Sequence, residues 1–463
     1  MCLASLAPPS SDLKLCRSAA FRFGVRIIHM ATTFRRYSPE QTLLLPPSLR
    51  DWLPEGHLAY FISDTVDYLD LKAFYAPYEG DGRRNSPFDP RMMIKILLYG
   101  YATGTFSSRK LAKKLHEDVG FRVLGCENFP AHRTISEFRQ QHLAAFQDLF
   151  VQVVRVAQEV GLVKLGTVAI DGTKVKASAS KHKAMSYGRM QEEEQRLQAE
   201  IAELTSRASQ ADAEEDALYG EESSGEEIPQ ELKRREQRLE RIQEAMERLK
   251  SRQAEEDRKE GRSPEKKSRA KRPFGEPTKK KQDNFTDPES RIMKTSSGFE
   301  QCYNGQLAVD AESHLIIAAE VTQSAVDVEQ LLPMVESSCE VGQGFPQAVL
   351  ADAGYRSEDN LQKLESQGID GYVSLGREGK SGSVVNGTEN PATGRMQEKL
   401  ATEQGRKTYG RRKGLVEPVN GWIKSVLGFR QFSLRGLAKV AGEWKLVCLA
   451  LNLRQLNPRM GWQ

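Results

Sequence analysis

Residues 407–424 read KTYGRRKGLVEPVNGWIK and set Tyr409, Arg412, Glu417 and Lys424 within a single turn and helix. Glu417 and Lys424 are seven positions apart, so on a helix they share one face, two turns from each other. A lone carboxylate beside phosphate-binding cations does no chemistry by itself, whereas one that completes a metal site does. Two further acids are placed for that role: Asp171 in GTVAIDGTK and Asp352 in AVLADAGY. Each closes a short apolar run, as a carboxylate at the end of a buried strand would.

Outward from these acids the chain alternates strand and helix. QLAVD and LIIAAEVT, separated by Ala311 to His314, read as a hairpin, and VDVEQLLPMVESSCE has helical spacing. The helix-like SEDNLQKLESQG lies between the strand candidates PQAVLADAGY and IDGYVSLG. Residues 377–395, rich in Gly, Ser, Asn and Thr, read as a loop. Glu417 is expected at the start of the next helix, with Pro418 tolerated there, and AGEWKLVCLALNLRQL is a terminal helix. The order is an α/β layering, and ligands in open α/β sheets sit at the carboxyl ends of strands. By itself Asp171 also reads as a turn residue, because Asp-Gly is a common turn pair.

Before this, residues 38–163 are helical in pattern. Asp89 caps FDPRMMIKILLYGYATG with Pro90 at the first helical position and Gly104 as a stop. SSRKLAKKLHEDVGFRVL follows with Arg109, Lys110, Lys113 and Lys114, and HRTISEFR opens a helix capped by Thr134 or Ser136, then a long amphipathic one. Short helices with basic faces suit DNA binding, although Lys113 and Lys114 equally suit a solvated face. His132 and His142 read as a loop contact and a surface residue. Residues 181–287 leave the sheet pattern. Met190, Leu197, Ile201 and Leu204, then Leu232, Leu239, Ile242, Met246 and Leu249, recur among dense Glu, Gln and Arg as two coiled-coil-like helices, and Gly220, Gly225 and Pro229 permit a hairpin between them. This is a dimerisation or DNA-clamping arm, or a solvated insertion. The run KKSRAKRPFGEPTKKK after it reads as a basic, flexible phosphate-binding linker.

The chain has 463 residues, room for two or three domains, and no run approaches the roughly 20 apolar residues of a membrane span. Net charge is +4, with an acidic stretch at 191–227 and a basic one at 266–281. None of the six cysteines forms a CxxC pair, which argues against a zinc site or disulfide framework and for a reducing, cytosolic setting. Residues 1–37 read as a disordered extension or a mis-called start, with Met30 beginning more ordinary sequence.

Three carboxylates can hold two divalent ions about 3.5–4 Å apart, and oxygen-only ligands favour magnesium or manganese. Arg offers a bidentate fork to a phosphate and Lys a point charge, roles that suit Arg412 and Lys424, while Tyr409 can bond a phosphate or stack on a base. With these residues, and with FRRYSPEQTLLLPPSLRDWLPEGHLA, HRTISEFR, IDGTKVKA, NFTDPESRIMK, YNGQLAVD and VLADAGY, the chain resembles bacterial insertion-sequence transposases of the DDE type that carry a Y-R-E-K signature. That signature falls on Tyr409, Arg412, Glu417 and Lys424. The signature has three residues between Arg and Glu, whereas here there are four, and Lys413, at the regular spacing, shares or takes the arginine's role.

The resemblance implies a ribonuclease-H-like α/β catalytic core over residues 164–456, interrupted at 181–287 by the coiled-coil-like hairpin and basic linker and preceded by an all-α DNA-binding domain over 38–163. It implies Asp171, Asp352 and Glu417 as catalytic, metal-binding triad, two Mg2+ or Mn2+ ions, and Tyr409, Arg412, Lys413 and Lys424 against DNA phosphates. The substrate would be double-stranded DNA: terminal inverted repeats, whose 3′-hydroxyl ends are joined to target DNA. A homodimer is expected because two ends must be paired, without a membrane and in a bacterial cytoplasm at the nucleoid. The alternatives are a ribonuclease-H-like nuclease without strand transfer and a non-catalytic DNA-binding scaffold. Of the competing acids Glu398, Glu403 and Glu443, none has cations at matching helical spacing.

Overall fold

The computed structural model describes residues 48–79, 86–219, 227–264, 272–376 and 390–460. The expected extension at 1–37, Gly220 and Gly225 and most of the loop at 377–395 lie outside them. The helices α1 (Leu58–Tyr68) and α2 (Lys72–Tyr75) come first. In α3 (Pro90–Ala102) the Asp89 carboxylate accepts from the Arg91 amide, Pro90 has no N–H in need of an acceptor, and Gly104 at φ 75° turns the chain out. The single helix expected from Ser107 onward is two, α4 (Ser108–Glu117) and α5 (Val119–Gly125). Asp118 breaks it by turning its side chain onto the Gly120 and Phe121 amides as an N-cap. Helix α6 (His132–Gln141) starts ahead of Thr134 and Ser136, from Ala131. His142, which precedes α7 (Leu143–Glu159), is buried against Phe74, Phe138 and Tyr78 and is no surface residue.

Next comes β1 (Thr167–Lys176), then β2 (Ala184–Ser186), α8 (Tyr187–Tyr219) and α9 (Glu227–Lys259). The two long helices pack through Met190, Leu197, Ile242, Met246 and Leu249, with Arg235–Glu200 and Arg238–Glu193 pairs at 3.0 and 2.7 Å between them. At their base β2 pairs antiparallel with β3 (Gln282–Asn284). Part of the basic run is not free to follow DNA. Arg272, 2.7 Å from the buried Asp257, and Lys281, paired with Glu256, tie it back onto α9.

The main sheet adds β4 (Arg291–Thr295), β5 (Gly298–Asp310), β6 (Ile316–Thr322), β7 (Ala348–Ala351) and β8 (Asp370–Val373). β1 pairs antiparallel with β5, whose other edge takes β4 and then β6, while β1, β7 and β8 run parallel. Helices α10 (Leu331–Gly342) and α11 (Glu358–Ser366) connect the parallel strands. They are followed by α12 (Pro391–Ala401), α13 (Glu403–Gly421) and α14 (Leu437–Met460). Residues 391–395 are therefore helix and not loop.

α14 carries a continuous buried run from Leu446 to Leu451, the mark of a helix covered on every side. It packs on α3 and α7 and on β6, where Asn452 bonds both the amide (2.9 Å) and the carbonyl (2.7 Å) of Ile316. Trp444 lies on β5 so closely that a Cβ at Gly305 would come within 2.9 Å of its ring. Glu443 is consumed here as well. Its buried carboxylate accepts from the Ser433 and Leu434 amides at 2.9 and 3.0 Å and from the Ser433 hydroxyl, so it is structural. One hydrophobic cluster thus runs from Ala59 to Leu456, and the expected boundary at residue 163/164 does not separate two cores. Among the described residues no helix is long and apolar enough to cross a membrane. Leu449→Ala should remove about 2–5 kcal/mol from a single cooperative unfolding transition followed by circular dichroism. Two separate transitions would mean that the helices and the sheet fold apart.

Candidate active site

β1 does not stop at Asp171. The Asp-Gly pair is held in strand by antiparallel pairing with β5 on one side, while Thr173 and Val175 continue the buried run. Asp171 is thus mid-strand and not strand-end. What ends near it is the parallel neighbour: β7 pairs with β1 only up to Ala169↔Leu350, so Asp171 and Asp352 each lie two residues beyond that last pair. Asp352 caps the turn after β7, its Oδ1 accepting from the Gly354 amide at 2.8 Å.

Both oxygens of Asp171 are taken by α13. Arg412 donates to Oδ1 at 3.3 Å and Asn420 to Oδ2 at 2.8 Å. The Asp171 carboxyl is pushed up to about 6, first by burial and further by the carboxylates of Asp352 and Asp327, while Arg412 opposes the shift. Asp327, just before α10, went unread in the sequence because SAVDVEQLLP shows only helix spacing. Its Oδ1 accepts from Asn304 at 2.6 Å, Gln306 at 2.8 Å and Lys174 at 3.3 Å. The Tyr355 hydroxyl donates to Gln306, and burial among these acids holds that phenol well above its usual range, so it keeps its proton. Gly172 makes the network possible, since a Cβ there would fall 2.6 Å from the Gln306 amide nitrogen and 2.7 Å from Asp327.

The structure places the other expected residues on or after α13. Arg412, Leu415, Val416 and Val419 are its buried side, and Lys413 and Glu417 are exposed. Arg412, and not Lys413, therefore meets the aspartate, and Tyr409 hydrogen-bonds with Arg412. Glu417 is near the end of the helix and not its start, with Pro418 inside it. Proline takes away the donor for the carbonyl four residues back, and the chain then widens into a π-helical turn, Trp422–Val426. Lys424 lies in that turn, so it leaves the regular helical face expected with Glu417. It swings to β1, where Nζ donates to the Lys174 carbonyl at 2.9 Å.

Asp171 and Asp352 are brought together, with Asp327 beside them. Glu417 rides on the same helix three residues before Asn420, a spacing that puts two Cβ atoms roughly 5–6 Å apart. Among the described residues no three His, Cys, Asp or Glu side chains close on one point as metal ligands do. The donor chemistry nevertheless fits a hard divalent cation: these are carboxylate oxygens, and Asp352 and Asp327 are close enough to Asp171 to add to the upward shift that burial causes.

A family model described as "Transposase DDE domain" matches residues 270–453, and a second, described as "Transposase domain (DUF772)", matches residues 47–141. The chain belongs to the insertion-sequence DDE transposases. The mixed α/β sheet is consistent with the ribonuclease-H-like domain of such a transposase, a metal-dependent polynucleotidyl transferase that acts on DNA. Asp352 and α13 with Glu417 lie inside the first match, whereas Asp171 precedes it, across the α8–α9 arm. The second match spans α1 to α6. Comparisons with curated proteins and with solved structures give no match. In this transposase Arg412→Met should carry the Asp171 midpoint above 6, because it removes the cation that opposes the upward shift. A carboxyl-carbon NMR titration of aspartate-labelled protein reads it, and an unmoved or lowered midpoint contradicts the assigned pairing.

Proposed function

We propose that this transposase cuts DNA at the terminal inverted repeats of its own insertion sequence and joins the 3′-hydroxyl ends to target DNA. Asp171, Asp352 and Glu417 are the metal-binding acids. The observation that carries the reading is the pairing of Asp171 with Asp352 just beyond the parallel β1–β7 ladder, under a helix that also bears Glu417 and Arg412. Two Mg2+ or Mn2+ ions, when bound by these carboxylates, supply the Lewis acidity that activates an attacking hydroxyl and stabilises the leaving oxygen. The residues of the chain do the rest. Arg412 is already aimed at the acids, and an incoming phosphate offers its guanidinium a second partner, freeing an oxygen of Asp171. Lys424 and Lys413 add point charges for the flanking phosphates, and Tyr409 hydrogen-bonds with Arg412 or stacks on a base. Tyr355, which keeps its proton, holds Gln306 and through it the turn that carries Asp352.

The helices α1 to α6 read the DNA ends, and the α8–α9 arm pairs two protomers or clamps DNA, so that two ends meet in a homodimer at the bacterial nucleoid. The proposal is tested with a duplex made from the inverted repeats that flank the gene, together with a target plasmid. Wild type yields joined products. Asp352→Asn binds the duplex as before and loses strand cleavage and joining by at least ~100-fold, about 2.7 kcal/mol in barrier. Cleavage without joining would leave a nuclease, and an unaffected Asp352→Asn protein would leave a scaffold.

A further inference from the structure

Beyond Asp171, β1 turns basic. Lys174 and Lys176 follow on one face of the strand, opposite Asn304 and Cys302 of β5. The segment after the π-helical turn closes alongside: the Lys176 amide donates to the Arg430 carbonyl at 3.2 Å, and the Phe432 amide to the Lys176 carbonyl at 2.8 Å. Arg430 is fixed there by a 2.9 Å bond from Nε to the Lys424 carbonyl, and Lys424 by its bond to the Lys174 carbonyl. Lys174, Lys176, Lys424 and Arg430 are thus gathered on two segments stitched to each other. Two acids answer them, Asp327 at 3.3 Å from Lys174 and Glu300 at 3.4 Å from Lys176. The Lys424 ammonium is lowered by burial and by the Lys174 and Arg430 charges beside it, a repulsion that a polyanion relieves.

We propose that Lys174, Lys176 and Arg430, together with Lys424, form a phosphate track that holds the DNA strand on one side of the scissile phosphate. The proposal rests on the reading that the scissile phosphate sits at Asp171. At about 3.3 Å per strand residue, the Lys174 and Lys176 backbones lie roughly 10 and 17 Å along β1 from that of Asp171, and the odd spacings put both lysine side chains on the face opposite its carboxylate, with Lys174 beside Asp327. At about 3.4 Å of duplex axis per nucleotide, the track meets the strand some three to five nucleotides from the cut. Its ligand is the sugar–phosphate backbone and not base edges, because the cations come from a strand edge and a loop with no element shaped to enter a groove.

The full chain is titrated against a 30-bp duplex of arbitrary sequence by fluorescence anisotropy between 50 and 200 mM KCl. Lys176→Gln with Arg430→Gln should weaken binding and flatten the slope of log affinity against log salt by about 1.8, two phosphate contacts at about 0.9 each. Arg430→Gln alone, at an exposed position, should flatten it by about 0.9 with its melting temperature unchanged. Lys164→Gln with Lys363→Gln removes the same charge from two exposed side chains outside the helices assigned to DNA reading and should leave the slope as in wild type. An unchanged slope in the Lys176/Arg430 protein, or an equal change in the Lys164/Lys363 protein, overturns the track. A flattened slope in a protein that cleaves no terminal DNA would keep the track and remove the function proposed above, so the two fail separately.

Discussion

Keeping the carboxylate of Asp171 charged in the middle of a nearly buried strand is the constraint around which the rest is arranged. Burial alone would drive such a group to hold its proton, and two further aspartates add to that pressure. The fold answers with α13, whose Arg412 and Asn420 take both oxygens. That docking fixes the helix against the sheet, and with it the position of Glu417. Asp327 is handled differently, by three donors from β1 and β5 onto one oxygen, and this network needs the missing side chain of Gly172. The site is therefore a set of acids each held by its own donors, and its electrostatics lean towards accepting more positive charge.

The scaffold behind it is a single core. α14 is the joint: it is covered by the N-terminal helices on one side and by the sheet on the other, and Trp444 and Asn452 pin it to β5 and β6. Glu443, an acid at first sight available for chemistry, is spent on the chain turn at Ser433. This continuity joins the helices matched at 47–141 to the strands that carry the aspartates through one shared core. The α8–α9 arm has its own small apolar seam and a separate anchor in Asp257, whose carboxyl burial would raise but which Arg272, the Gly275 amide and Gln253 hold well ionised, at about 2.

Much of this was readable from residue order, and the misses have physical causes. Strong local signals carried through: Asp89-Pro90 at a helix start, the β-branched run before Asp171, the apolar runs of β6 and β7, and the heptad spacing of Leu197 or Ile242. Where the outcome depended on a distant partner, local chemistry misled. Asp171-Gly172 looks like a turn until β5 pairs with it. β4 has no apolar alternation, and its strand exists through its register with β5. His142 is polar by type yet fills an aromatic cavity lined by Phe74 and Phe138. Asp118 acts on its own neighbours, but breaking a helix was one of two uses open to it. Asp327, Asn304 and Gln306 carry no motif, since their bonds join strands and a loop that only the folded chain brings side by side.

On the proposed function Asp171, Asp352 and Glu417 share divalent cations, which crystals grown with DNA and Mn2+ and measured at the manganese absorption edge would reveal. Anomalous peaks are expected within coordination distance of Asp171 and Asp352, with the Glu417 side chain turned inward to meet them and Arg412 moved onto a phosphate. Manganese bound elsewhere, or bound at Asp171 with Glu417 still facing solvent, would contradict it.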